Sequence, residues 1–195
     1  MKSFELDDCL NYYQEGNLEV LFQDLSDMEE FNVHFQQAIE SGQLRFSVLP
    51  GTGDLFIVCM SDALQGFFDA IVVFSKTPSI SVATLVVLKK NRIVGNDQYI
   101  YSVGYHVNKE LRGQGLARGI VEQAKARAQE FFEEFGPRYD RGPDKSYRYT
   151  LESVVATGNQ ASNRIASTLL HSGEPISTGI ELRSGEPSNV YRLTL

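Results

Sequence analysis

The 195-residue sequence predicts an α/β protein of the α+β type, built on a mixed and mostly antiparallel sheet with a helical segment ahead of it. Three observations lead there. Between Leu44 and Val107 lie five strand-like runs parted by short turn signals, and short connections join antiparallel neighbours. From Tyr101 to Phe135, a run rich in Tyr and Val passes through a glycine-studded basic turn into a long amphipathic helix. A further strand, a second helix and a closing hairpin complete the chain. With no repeat, low-complexity tract or linker, residues 1–195 are expected to form one domain, long enough to bury a core without staples.

Taken in order, residues 1–42 are acidic and read as helical. Ser26 and Glu29 have capping-box spacing, and Met28, Phe31, Phe35, Ala38 and Ile39 then recur at helical spacing up to Gly42. The strand-like runs are Leu44 to Leu49, Leu55 to Met60, Phe67 to Phe74, Ile80 to Leu88 and Tyr99 to Val107. In the helix after the glycines, Ala117, Ile120, Val121, Ala124, Ala128, Phe131, Phe132 and Phe135 share one face, the pattern of a helix lying on a sheet, and Gly136-Pro137 ends it. Residues 136–146 form a polar loop with Arg138, Arg141 and Lys145, whose charges are those of a solvated loop. A strand from Tyr147 to Ala156 follows. Asn159 then opens a helix carrying Ala161, Ile165, Leu169 and Leu170, and the strands Ile176 to Leu182 and Asn189 to Leu195 close the chain.

Composition narrows the function classes. The chain is 42% hydrophobic and 22% charged, ordinary for a globular protein, with a net charge of −7. Such acidity argues against nucleic acid as the main partner, because neutralising phosphates takes a basic surface. Cys9 and Cys59 are the only cysteines, with no CxxC pair and no His spacing suited to zinc, so no metal is expected. A reducing, cytoplasmic setting fits two lone thiols. Glu5, Asp7 and Asp8 stand where a signal peptide would be apolar, and no apolar run is long enough to span a bilayer.

The stretch that carries chemistry is Arg112-Gly113-Gln114-Gly115-Leu116-Ala117-Arg118. Its glycines let backbone N–H groups close on an anion, which the unpaired first-turn amides and the helix dipole also favour. Lys109, Arg112 and Arg118 add positive charge at the same end. A P-loop would need Gly, four residues and then Gly-Lys-Ser/Thr, which is absent. A dinucleotide fingerprint would need a third glycine where Arg118 stands, and a preceding βαβ unit. What does fit is the pattern Arg/Gln-x-x-Gly-x-Gly/Ala after a strand ending in Tyr105-His106-Val107. It resembles the acyl-CoA pyrophosphate loop of the GNAT (Gcn5-related N-acetyltransferase) superfamily. Asn159 and Ser162 resemble that family's second cofactor element, Asn-x-x-Ala/Ser at the start of the later helix. Together the two motifs cover residues 101–173. The plain structural role of Asn159 is a helix N-cap, and both roles can hold at once.

The resemblance implies a GNAT-like fold with helices on both sheet faces, and transfer of an acetyl or other acyl group from acyl-CoA to a primary amine. The pyrophosphate would rest on the amides of Gly113 to Ala117, and the pantetheine would pair with the Tyr105 to Val107 backbone. A neutral amine of a protein or small molecule would attack the thioester directly, with positioning and a backbone N–H near Val107 supplying much of the rate. No metal or membrane is implied, and the protein would act as a monomer or homodimer. The sequence departs from the family pattern at Tyr101, where many members carry glutamate, and near Ala166, where many carry tyrosine. Tyr101, Tyr105, His106 and His171 are the remaining proton-transfer candidates, and none is singled out. The alternative is a non-catalytic acyl-CoA-binding module with a regulatory or interaction role.

Overall fold

The structure, a computed structural model, describes residues 9–12, 27–49, 51–52, 54–61, 68–78, 82–94, 98–135, 148–170, 174–181 and 185–195. The strands are β1 (Leu10–Tyr12), β2 (Ser47–Val48), β3 (Leu55–Ser61), β4 (Phe68–Ser75), β5 (Thr84–Val94), β6 (Gln98–Val107), β7 (Arg148–Ala156), β8 (Ser177–Ile180) and β9 (Pro187–Thr194). The α-helices are α1 (Met28–Glu40), α2 (Leu116–Phe135) and α3 (Gln160–Leu169). Strand order is β1-β3-β4-β5-β6-β7-β9-β8, with β2 paired to β3 off that path. The pairs β1/β3 and β6/β7 are parallel, while β2/β3, β3/β4, β4/β5, β7/β9 and β8/β9 are antiparallel. This is the mixed, mostly antiparallel sheet that the turn signals predict.

By backbone proximity the chain divides into two compact units, residues 1–89 with 104–141, and residues 90–103 with 142–195. In the first unit, β3, β4 and β5 are apolar on both sides, as strands covered on both faces must be. One face, with Val58, Met60, Val72, Phe74, Leu85 and Val87, packs on Phe31, Phe35, Ala38 and Ile39 of α1. There Phe35 meets Phe74 edge-on at 5.3 Å between ring centres. Helix α2 contacts β4 and its buried residues lie outside that cluster, so it covers the opposite face, where Ile71 and Val73 are buried.

The second unit is built on the parallel β6/β7 ladder, Gln98 opposite Arg148 through Ser102 opposite Glu152, and on β7/β9 from Thr150 opposite Thr194 to Ala156 opposite Ser188. Helix α3 packs on β7 and β9. Glu152, buried on β7, is answered across the sheet by Arg192, whose Nε donates to Oε2 at 2.6 Å. A buried carboxylate is tolerable only with such a partner.

Several expectations are corrected. The N-terminal segment is not helical throughout: Leu10–Tyr12 forms β1, parallel to β3, with Leu10 opposite Cys59. Asn11 fixes it there, its Nδ2 donating to the carbonyls of Cys9 and Arg45 at 2.9 Å while its Oδ1 accepts from Arg45 N at 2.8 Å. These bonds tie the strand to the backbone of Arg45. Asp27, not Ser26, caps α1, its Oδ1 accepting from Glu29 N at 2.9 Å and Glu30 N at 3.0 Å. Ser26 lies outside the described residues, as do Arg138, Arg141 and Lys145. Of the run from Leu44 to Leu49 only Ser47–Val48 pairs as a strand, and the run predicted from Ile80 is strand from Thr84. Leu44 and Leu49 are nevertheless buried, so that apolar run serves packing rather than a ladder.

Candidate functional site

Strand β6 ends where Asn108 N donates to Ala83 O at 3.0 Å, and a single 3-10 turn, Lys109–Leu111, redirects the chain. Arg112 is extended after this turn, and its Nε folds back to donate to Val107 O at 3.0 Å. Gly113 and Gly115 follow with φ of 82° and 76°, the left-handed region that other residues enter at a cost. A Cβ at either position would meet nothing within 4 Å, so backbone conformation rather than crowding calls for glycine, and space in front of the loop is open. The bond from Gly119 N to Gly115 O at 3.2 Å makes Gly115 the residue that opens α2. Having no side chain, Gly115 caps none of the first-turn amides, and that turn has no acidic residue. Residues 112–116 are exposed. An anion would find N–H groups, the positive end of a 20-residue helix and open space.

Charged side chains surround this loop. Arg118 pairs with Glu122 at 3.0 Å. Glu29, in the first turn of α1, reaches Lys109 Nζ at 2.8 Å and Arg112 Nη2 at 3.9 Å. Next to Glu29, Met28 lies against β6: a Cβ on Gly104 would stand 2.6 Å from its Sδ. His106, two residues on and therefore on the same strand face, is 8% exposed. Burial holds its pKa below the ordinary 6.5, assisted by Arg112 and Lys109 and opposed by Glu29 and Asp27. Glu29 is held below the usual carboxylate value chiefly by its hydrogen bond to Lys109.

The sign of the His106 shift makes a prediction. The folded chain binds this proton less readily than the unfolded chain, so the stability His106 contributes is complete above its unfolded pKa, near 6.5, and is lost as pH falls below it. Urea unfolding of wild type and His106→Gln at mildly alkaline and mildly acidic pH should show a smaller pH-dependent loss in the variant. Equal losses would mean that other groups carry the pH dependence.

In the second unit, Asn159 caps α3, its Oδ1 accepting from Ser162 N at 3.1 Å. Asn159→Ala should therefore cost roughly 0.5–2 kcal/mol in denaturant unfolding, with Ser or Asp restoring most of it. An Ala variant as stable as wild type would deny the cap its weight. Ser162 is half-buried. Four residues into the helix region, Asn163 ties α3 down. Its Nδ2 donates to the carbonyls of Ala156 and Asn159, both at 2.8 Å, and its Oδ1 accepts from Asn189 Nδ2 at 2.8 Å and Tyr191 Oη at 2.9 Å.

Tyr105, His106, Val107 and Arg112 to Arg118 thus lie on one strand–loop–helix passage of the first unit, while Asn159 and Ser162 stand at the start of α3 in the second. Tyr101 is buried at 2% exposure, Tyr105 and Val107 are half-buried, and His171 lies outside the described residues. Sequence reasoning missed Glu29 and Asn163. Glu29 is separated by some eighty residues from the cations it meets, and no local pattern announces such a pair; a second asparagine after a capping asparagine was the one available signal for Asn163. Among the described residues there is no group of three or more His, Cys, Asp and Glu able to hold a metal, and no helix is long and apolar enough to cross a membrane.

No protein-family model matches the chain, and no curated protein matches it. Solved structures do. It is similar to nourseothricin acetyltransferase at 17% identity and a TM-score of 0.44, over 65% of each chain, so it spans a little under two thirds of that protein. It is similar to a spermidine N-acetyltransferase chimera from Vibrio cholerae at 13% identity and a TM-score of 0.45, over 98% of this chain and 92% of that one. It is also similar to a GNAT-family acetyltransferase from Streptococcus pneumoniae at 16% identity and a TM-score of 0.43, over 65% of this chain and 68% of that one. These three solved structures are acetyltransferases by name, one of them of the GNAT family.

Proposed function

We propose that the chain is an acyl-CoA-dependent N-acyltransferase that passes an acetyl or other acyl group to a primary amine of a protein or small molecule. One observation carries the reading: Gly113 and Gly115, both left-handed, lead into the 20-residue helix α2, which opens at Gly115, a residue with no side chain to cap it, on an exposed first turn with no acidic residue. That arrangement fits the pyrophosphate of CoA, which needs amide donors and close backbone approach rather than a metal. Bound acyl-CoA supplies an activated thioester. The chain supplies the amides of Gly113 to Ala117 as the anion cradle, with Arg112 fixed by its bond to Val107 O so that the loop keeps its shape. The Tyr105 to Val107 end of β6 offers extended backbone for the pantetheine arm. His106, whose burial disfavours its charged form, is one candidate to take a proton from the incoming ammonium. A cytoplasmic location belongs to the same reading, since CoA thioesters are intracellular reagents.

The test is direct. Calorimetry with acetyl-CoA should give saturable binding, and a thermal-shift comparison should favour acetyl-CoA over ATP and NAD. Stabilisation by ATP or NAD in preference to acetyl-CoA would replace this reading with a nucleotide-binding one. Binding without thiol release across an amine panel would favour the non-catalytic module. For Asn159 the cap and a cofactor contact are separable: Asn159→Ser keeps an N-cap but loses the amide donors. A Ser variant that melts near wild type yet turns over at least several-fold more slowly would give Asn159 the second role.

A further inference from the structure

We propose that Glu29 is a built-in competitor of the cofactor phosphate, its carboxylate occupying Lys109 and Arg112 so that an anion arriving at the Gly113–Gly115 loop must displace that carboxylate from them. The inference rests on the acyl-CoA reading and deepens it. Glu29 divides its two oxygens between the cations, Oε1 at 2.8 Å from Lys109 Nζ and Oε2 at 3.9 Å from Arg112 Nη2. Arg118, the remaining cation of the loop named above, pairs with Glu122. Phosphate oxygens taking the Lys109 ammonium would meet the Glu29 carboxylate as a like charge.

The contact has the character of one made to exchange. The side chains of Glu29, Lys109 and Arg112 are 54%, 66% and 51% exposed, so water replaces either partner easily. Helix α1 does not depend on it, being held by Asp27 at its cap, by Met28 against Gly104 and by Phe31 and Phe35 in the core. Losing the ion pair therefore frees the Glu29 side chain without unseating the helix. Cofactor loading would in this way be felt at α1, an element remote in sequence from the loop.

The experiment is calorimetric titration of CoA into wild type, Glu29→Gln, Glu30→Gln and Lys109→Gln, with the Glu29→Gln/Lys109→Gln double variant. Glu29→Gln should bind CoA about three- to tenfold more tightly at ~50 mM salt, with the gain shrinking at ~0.5 M as charges are screened. Glu30→Gln removes the same charge one residue further round the helix and should change affinity by less than about twofold, since only local contact is at stake. The gain should vanish in the Lys109→Gln background, as coupling through that ammonium requires. Glu29→Gln affinity equal to or below wild type, or an equal gain in Glu30→Gln, overturns the proposal while the acyl-CoA reading stands. Wild type that binds no CoA overturns that reading first, and the proposal with it.

Discussion

Gly115→Asp should abolish measurable acetyl-CoA binding, weakening it by at least about 100-fold, while the chain stays folded. Gly115 sits at φ 76° with open space beside it, so the new side chain meets no steric wall. Left-handed backbone strains most residues by about 1–2 kcal/mol, but aspartate is among those that enter it most readily. Aspartate at a helix start also accepts from first-turn amides, which offsets part of that strain. In the proposed function those same amides are the donors for the cofactor pyrophosphate. The variant would thus carry its own anion in the site, adding repulsion to the loss of donors. Gly115→Ala separates the two terms, keeping the strain without the charge, and should bind more weakly than wild type but better than Asp. Circular dichroism and melting report the fold; calorimetry reports the affinity. Unchanged affinity in a folded Asp variant would reduce the loop to a turn that starts a helix.

Asn163→Ala should destabilise the chain by about 2–4 kcal/mol. The amide uses two donor and two acceptor positions at once, on Ala156 O, Asn159 O, Asn189 Nδ2 and Tyr191 Oη. Tyr191 is 3% exposed, so its hydroxyl would lose a partner where water replaces it poorly. Truncation also cuts the tie between α3 and the ends of β7 and β9. Asn163→Asp keeps the acceptor but loses both donors to the Ala156 and Asn159 carbonyls and sets a carboxylate against them, so it should rescue little. Urea unfolding measures both, with an unchanged denaturant slope marking a change in stability alone. A loss under about 0.5 kcal/mol for Ala would mean that water takes over the network.

Elements whose information is local were legible in the sequence. The face of α2 read from spacing is the buried one: Ile120, Val121, Ala124, Ala128 and Phe132 are all in the core. Its start at the second glycine also follows the sequence reading. The first residues did not. The acidic, amphipathic stretch from Met28 gives residues 1–42 a helical pattern, whereas β1 is three residues long and pairs at the edge that β3 offers. A strand that short has no period to detect. The same holds at the start of α1, where Ser26 and Glu29 have the spacing of a capping box but Asp27 points its carboxylate at the amides.

By itself, the sequence determined the passage from strand through two glycines into a long amphipathic helix, because a turn that demands positive φ and a helix that demands one apolar face are both written in neighbouring residues. It likewise determined the cap at Asn159. Only the tertiary structure decided which charges meet. Glu29 beside Lys109 and Arg112, Arg192 on the buried Glu152, and Asn163 shared between Asn189 and Tyr191 join residues far apart in the chain. Their pairing follows from strand register and helix docking, which arise from the burial of apolar surface across the whole fold and leave no trace in the spacing of the polar residues themselves.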